Sequence, residues 1–368
     1  MRATARINLG AVQRNCARLK EEIGAEVELC AVVKADGYGH GGVACADAAI
    51  EGGATRLAVA TAGEAERIGR ALPHVPLLTM GALTPEELDG ALGAGSEVAV
   101  WREGFLGLAA ERARAWGRPA RVHVKHDSGM GRLGNRDPSR VIAIARACAT
   151  NENLELAGIW THFATADEPD SDFFDDQLER FSVVADAIRS EFPDVVVHAA
   201  NSAAVIRDRR SHFDMVRCGV AIYGLDPFQH DPAEHDLAPA LSLHSYVADV
   251  KRFAAGDSAG YGRTWRAAVD TNVAVLPLGY GDGVRRGLSN NAEVLIRGRR
   301  FPLVGTVSMD NVTIDLGPAT DVEPGDEAVL IGSQGDESIL AEEVARRLDT
   351  INYEITCGIS ARVPRVAE

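Results

Sequence analysis

Apolar residues recur along the first 220 positions in short runs, each closed by a polar or glycine-containing turn and followed by a helical pattern. Eight such runs stand out: CAVV (30–33), LAVAT (57–61), PLLTM (76–80), EVAVW (97–101), RVHVK (121–125), LAGIWTHF (156–163), VVVHAA (195–200) and MVRCGV (215–220). Runs this short and this rich in strand formers predict buried strands, not helices. Between them the period changes. Phe174, Leu178, Phe181, Ala185 and Ile188 step by four and three, and Leu9, Val12, Cys16, Leu19 and Ile23 form one stripe over residues 8–24, with Asn8 as N-cap and Gly24 as stop. Eight strands alternating with crossovers predict a (β/α)8 TIM-type barrel; a doubly wound sheet with a spare strand is the rival.

The texture shifts after residues 226–240, DPFQHDPAEHDLAPA, whose prolines and acids suggest a linker. LSLHSYVADV, NVAVLPL, AEVLI, NVTIDL and EAVLI follow, separated by Gly, Asp and Asn turns without long crossovers. They predict a mostly antiparallel β domain, interrupted by one helix near 338–348 with Ser338 as its cap. The expected division is therefore a barrel over 1–238 and a β domain over 239–368.

Composition narrows the function classes. The 46% hydrophobic and 25% charged residues suit an ordinary globular protein. A net charge of −15 argues against nucleic-acid or anionic-membrane partners, and means that any bound phosphate is held by local dipoles and hydrogen bonds. No apolar run approaches the roughly 18 residues of a membrane span. The N-terminal MRATARINLG lacks a signal-peptide core, so a cytoplasmic location is expected. Cysteines at 16, 30, 45, 148, 218 and 357 include no CxxC pair, which favours free thiols and no metal site.

Candidate chemistry gathers at the C-terminal ends of the expected strands, where barrels keep their active sites. Lys34, Lys125, His162, Asn201 with Ser202, and Arg217 all lie there. The stretch CAVVKADGYGHG (30–41) ends a strand on Lys34 and breaks into a loop carrying Gly37, Gly39 and Gly41 around Tyr38 and His40. Such a lysine suits a covalent carbonyl trap, or simply leaves the sheet for water.

AVVKADGYGHG, KHDSGMGRLG, THFATADE, NSAA, MVRCGVAIYGL, AGYGRTW, VGTVSMDNVTIDL and NYEITCGISARVPR occur in this order over nearly the whole chain, and together they resemble the alanine racemases. The resemblance implies bound pyridoxal 5′-phosphate, an amino-acid substrate and a head-to-tail homodimer with shared active sites. It implies that Lys34 carries the cofactor and is the base facing the D-alanine proton, with Tyr261 of the partner subunit facing the L-alanine proton. Two groups on opposite faces of a planar carbanion are what racemisation requires. A tyrosine, with an unperturbed pKa of about 10, needs neighbours that favour its phenolate. The resemblance supplies them as a chain from Tyr261 to His162 to Arg217.

It further implies that Arg217 donates to the pyridine nitrogen of the cofactor. Arginine cannot accept, so that nitrogen stays unprotonated and the ring is a weaker electron sink, favouring return of the proton to Cα over transamination. Tyr38, Ser202, Tyr353 and the backbone of Gly219 and Val220 match the phosphate site. Lys125 matches a carbamylated lysine that orients Arg132 toward the substrate, and the backbone of Met309 matches a substrate-carboxylate contact. Asp167, Tyr280, Arg286 and Ile351 match a constricted entrance. Ser308, Cys218 and His126 depart from residues usual in the family and bear on fine specificity. The implied activity is interconversion of L- and D-alanine, supplying D-alanine to cell-wall synthesis. The alternatives are a broader or serine-preferring racemase, a decarboxylase of the same barrel class, and a non-catalytic pyridoxal-phosphate carrier.

Overall fold

The computed structural model describes all 368 residues. Strand β1 (Ala3–Ile7) and a helix, Leu9–Ile23, precede eight parallel strands. These are β2 (Glu28–Val32), β3 (Arg56–Val59), β4 (Leu77–Thr79), β5 (Glu97–Val100), β6 (Ala120–Lys125), β7 (Leu154–Trp160), β8 (Val196–His198) and β9 (Met215–Cys218), and they close into a barrel. Closure is made by β9 lying beside β2, with Glu28 opposite Met215 and Ala31 opposite Cys218. Each of the eight apolar runs became one barrel strand. The reason is burial on both faces: inward side chains meet one another and outward ones meet the helices, so the strands read as nearly unbroken apolar stretches. The doubly wound alternative is excluded by the β9–β2 pairing.

The crossover helices start where the local chemistry dictates. Thr61 with Glu64 and Thr84 with Glu87 form reciprocal capping boxes, and Asp137 caps a helix that opens on Pro138. Asn8 Oδ1 accepts from the Ala11 amide at 2.9 Å, as its place before the first helix predicts. The long helix Phe173–Glu191 buries Phe174, Leu178, Phe181, Ala185 and Ile188, the stripe that its periodicity foretold.

The other compact unit comprises Met1–Ala11 and Tyr223–Glu368, whereas the barrel unit is Val12–Ile222. This differs from the expected 1–238 and 239–368. Strand β1 pairs antiparallel with β10 (Leu241–Tyr246), Ala5 facing Leu243, which draws the N-terminus into the second sheet. Ala3, Ala5 and Ile7 are buried and the residues between them are not, a period-2 signal short enough to pass unnoticed. The sheet continues through β11 (Asp249–Phe253), β14 (Thr271–Leu276), β15 (Ala292–Ile296), β16 (Arg299–Val304), β17 (Val312–Gly317), β18 (Glu327–Gln334) and β20 (Arg365–Ala367) in the order β11-β14-β17-β16-β15-β18-β10-β1-β20. Between β11 and β14, β12 (Ser258–Ala259) and β13 (Trp265–Arg266) form a small hairpin. The hairpin between β15 and β16 turns on Arg297 and Gly298, both at positive φ, the conformation that a two-residue turn needs to match strand twist.

Two expectations in this unit fail. The helix near 338–348 runs Ala341–Arg347 from Leu340, and Ser338 caps nothing; it sits in β19 (Glu337–Ile339), opposite Ser333. The turn around Gly335 folds Ser338 back onto β18 before the helix begins. The acidic 226–240 segment is no loose linker. Asp226 is fully buried, its amide donates to Glu342 Oε1 at 3.0 Å, its carbonyl accepts from Asn352 Nδ2 at 2.8 Å, and its carboxylate meets His235 Nδ1 at 2.5 Å. No helix is long and apolar enough to cross a membrane. All six cysteines are free, five of them buried.

Candidate active site

Two residues beyond β2, Lys34 opens a short turn in which Ala35, Asp36, Gly37 and Tyr38 all have positive φ. Three of these are not glycine, so the turn costs roughly 1–2 kcal/mol at each such residue. It persists because its surroundings over-determine it. Glu64 Oε1 accepts from the Ala35 amide at 2.7 Å while Oε2 accepts from Ala60 at 2.9 Å, and Asp36 Oδ1 accepts from Gly42 at 3.0 Å. The outcome is that Tyr38 is brought back under Lys34, whose Nζ lies 5.8 Å from the phenol ring centre.

Arg217, inside β9, is buried and makes no ion pair. Its Nη2 donates to the carbonyls of Thr161 at 2.9 Å and Ala199 at 3.0 Å and to His162 Nδ1 at 3.2 Å; Nη1 donates to His198 Nδ1 at 3.0 Å. A guanidinium surrounded by neutral acceptors is under-compensated, and burial brings it down to about 10. Because Arg217 can only donate, His162 Nδ1 must accept, and its proton resides on Nε2. Burial, then the charges of Arg217, Lys125, Arg132 and Lys34, keep His162 well below its usual range and therefore neutral.

Lys125, the last residue of β6, is 2% exposed, and its Nζ lies 3.7 Å from the ring centre of Trp160. Burial first, then Arg217, Arg132 and Lys34, against the attraction of Asp127, bring it to about 7. A substantial fraction is thus the free amine near neutrality. Arg132 is exposed on the loop 126–135, which Asp127 ties down by accepting from the amides of Gly129 and Gly131. His126 is buried, its Nδ1 3.1 Å from the carbonyl of Asn135 at the other end of that loop, so it braces the segment carrying Arg132. Cys218 is buried at the end of β9.

Ser202 begins the helix Ser202–Arg207, capped by Asn201, and its Oγ accepts from the Gly219 amide at 3.1 Å and the Ala221 amide at 3.3 Å. A Cβ at Gly219 would fall 2.3 Å from the Tyr38 hydroxyl, so only glycine allows hydroxyl and backbone to converge. Val220 follows in the same turn and is buried. Lys34, Tyr38, Lys125, Arg132, His162, Ser202, Arg217, Gly219 and Val220 thus belong to the barrel, as does the exposed Asp167.

The remaining predicted site residues belong to the other unit. Tyr261 is 73% exposed on a 3-10 turn after Gly260, and its carbonyl accepts from Thr306 Oγ1 at 2.8 Å. Tyr280, Met309 and Ile351 are also exposed apolar side chains; Arg286 is exposed and Tyr353 is half-buried. The loops interlock, for the amides of Tyr280 and Gly281 donate to the carbonyls of Ser308 and Met309. Ser308 Oγ is occupied within its own turn, donating to the Asn311 carbonyl at 2.7 Å.

Comparison with known proteins gives the family. The family model "Alanine racemase, N-terminal domain" matches residues 7–227 and "Alanine racemase, C-terminal domain" matches residues 240–367. The chain belongs to the alanine racemase family. Among curated members, the alanine racemase of Symbiobacterium thermophilum is 45% identical over 99% of this chain and 97% of its own, and that of Desulforamulus reducens 40% identical over 98% of each. Among solved structures, the alanine racemase of the D-cycloserine-producing Streptomyces lavendulae superposes with a TM-score of 0.95 at 36% identity, covering 100% of this chain and 97% of that one. The alanine racemase of Bacillus anthracis with bound L-Ala-P gives 0.89 at 39% identity, over 100% and 95%.

Sequence reasoning passed over His198, His123 and Glu97, which this alanine racemase family member buries inside its barrel. His198 Nε2 lies 2.8 Å from His123 Nδ1, His123 Nε2 lies 2.6 Å from Glu97 Oε2, and Glu97 also accepts from Arg121 Nε at 2.8 Å and Arg56 Nη1 at 2.9 Å. Burial alone would raise Glu97, but the His123 hydrogen bond and the Arg56 and Arg121 charges bring it down to about 2. A depressed carboxylate stabilises the fold above its unfolded pKa and loses that contribution as pH falls through the folded value, here about 3 kcal/mol between roughly pH 5 and pH 2. Glu97→Gln is therefore expected to lower the urea midpoint at pH 7 and to converge on the parent toward pH 2. A gap of constant size across that range would contradict the assignment.

Proposed function

We propose that the protein interconverts L- and D-alanine with pyridoxal 5′-phosphate, by proton exchange on the two faces of Cα. The barrel residues suit that cofactor. Lys34, Lys125, Arg132 and Arg217 bring positive charge together with Asp127 as the opposing acid, an imbalance that an anionic ligand relieves. Arg217 Nε–H has no acceptor within the chain and is available to a ring nitrogen, while the hydroxyls of Tyr38 and Ser202 and the amide of Val220 suit a phosphate, beside a Gly219 amide that now donates to Ser202 Oγ. This charge pattern beside Lys34 carries the reading. When bound, the cofactor supplies an electron sink for the pair released at Cα.

The chain's own groups do the rest. Lys34 Nζ holds the cofactor and exchanges the proton on the D face; Tyr261 of the partner subunit exchanges it on the L face. His162, neutral with its proton on Nε2, is suited to donate to the phenolate oxygen, and so to favour Tyr261 in its basic form. Lys125, with its large neutral fraction, is suited to form a carbamate: its nitrogen bonds the carbon of carbon dioxide and loses a proton, and the new carboxylate orients Arg132 toward the substrate. Met309 contributes a backbone contact to the substrate carboxylate, and Asp167, Tyr280, Arg286 and Ile351 narrow the entrance so that small side chains pass. The exposed Tyr261, Tyr280, Met309 and Ile351 support a homodimer that covers them. Such an enzyme in the cytoplasm would supply D-alanine for peptidoglycan.

The test is a panel of L- and D-amino acids offered to the purified, cofactor-loaded protein, with racemisation and carbon dioxide release followed together. Racemisation of alanine well above serine, without carbon dioxide, is expected. Serine in first place redirects the substrate, carbon dioxide indicates a decarboxylase, and no Cα exchange in heavy water indicates a carrier.

A further inference from the structure

Four strands contribute to one buried line of hydrogen bonds: Arg217 from β9, His198 from β8, His123 from β6 and Glu97 from β5. All four residues are at most 4% exposed. The line has a single direction. Arg217 can only donate, so His198 Nδ1 accepts and its proton sits on Nε2. That proton is given to His123 Nδ1, which places the His123 proton on Nε2 and directs it to the Glu97 carboxylate, which can only accept. A second proton on either imidazole would set two donors against each other at 2.8 Å or remove the acceptor for Arg217.

The barrel is shaped to admit this line. The β6–β7 register shifts between Val122 and His123, and a Cβ at Gly158 on β7 would fall 2.3 Å from His123 Nδ1. Only a glycine leaves room for the imidazole. His198 is further fixed by stacking on Trp160, the rings 5.7 Å apart and 4° from parallel, with Arg217 Cζ 4.8 Å from the same indole.

We propose that His198, His123 and Glu97 are positioning residues: they hold Arg217 as a one-way donor facing the site and keep its nearest aligned carboxylate two imidazoles away. A carboxylate directly on Arg217 would orient it equally well but would take the donors and the charge that a ligand and His162 use. The orientation is delivered through neutral rings instead. This rests on the reading of Arg217 as the donor toward the cofactor's ring nitrogen.

The experiment combines 15N-histidine NMR of the holoenzyme with two substitutions at His123. His198 and His123 are both expected to be neutral and protonated on Nε2 from pH 6 to 9. His123→Leu breaks the line; His123→Gln presents an amide oxygen toward His198 and an amide N–H toward Glu97, in the original order. His123→Leu is expected to lower kcat about tenfold with KM for alanine changed less than about twofold, and to release the His198 tautomer, whereas His123→Gln recovers kcat to within about threefold. An imidazolium or an Nδ1-protonated ring at either position overturns the proposal, as does a His123→Gln no better than His123→Leu. If His123→Leu does not fold, the parent tautomers and the His123→Gln kinetics decide. Failure of the underlying reading shows separately: Arg217→Glu would then leave the visible spectrum of the holoenzyme unchanged, while the tautomers remain as described.

Discussion

Lys34→Ala is expected to abolish alanine racemisation in both directions, by at least about 10⁴-fold, because in the proposed mechanism one side chain holds the cofactor and serves as a base. The protein should also lose the borohydride-fixed adduct and its visible absorbance, while its thermal midpoint in the cofactor-free state stays within a few degrees. That last expectation follows from the backbone. The turn Ala35–Tyr38 is held by Glu64 and Asp36 through main-chain amides, which an alanine at position 34 leaves in place. An alanine variant that keeps both a reducible adduct and turnover would remove Lys34 from the mechanism.

The second expected result is asymmetric. Tyr261→Phe should lower racemisation by roughly 10³-fold in both directions, since either direction needs a proton removed on one face and returned on the other. Proton exchange at Cα without racemisation should nonetheless divide the enantiomers in heavy water. D-Alanine keeps exchanging, because Lys34 still works on its face, and L-alanine does not. Folding should be indifferent, for Tyr261 is largely exposed and its hydroxyl carries no hydrogen bond within the chain. Equal exchange of both enantiomers in the variant would mean that Tyr261 is not the base on the L face.

These two variants also separate what each part of the chain contributes. Lys34, His162 and Arg217 lie in the barrel unit, and Tyr261 in the other, so under the proposed mechanism a barrel intact in itself still lacks one of the two bases. The neutral state of His162 matters for the same reason. A cationic imidazolium beside a phenolate would favour the base by charge; a neutral Nε2–H favours it by one hydrogen bond, and Arg217 decides which by occupying Nδ1.

Much of the barrel was legible because its physics is local. A strand covered on both faces must be apolar throughout, so eight apolar runs marked eight strands, and a lysine or histidine just past a run marked the rim where ligands bind. Strand β1 was not legible as part of the second sheet, since five residues of alternating burial carry no record of which strand they join. Ser338 misled because a serine three residues before a helix looks like a cap whether or not a tight turn has already drawn it into a strand.

By itself, then, the chain's pattern of apolar runs and glycine turns marked the barrel strands and the antiparallel sheet, because each depends on neighbours a few residues away, while Lys34, Tyr261 and Arg217 were singled out by motifs that resemble those of the alanine racemases. Only the tertiary structure decided that Arg217 is served by two neutral imidazoles and that Lys125 is crowded by other cations. His123 and Lys125 share the inward parity of β6, the one hint available beforehand; Glu97 and Arg217 lie far apart along the chain. Hydrogen-bond direction and burial arise only when the closed barrel makes such strands face one another.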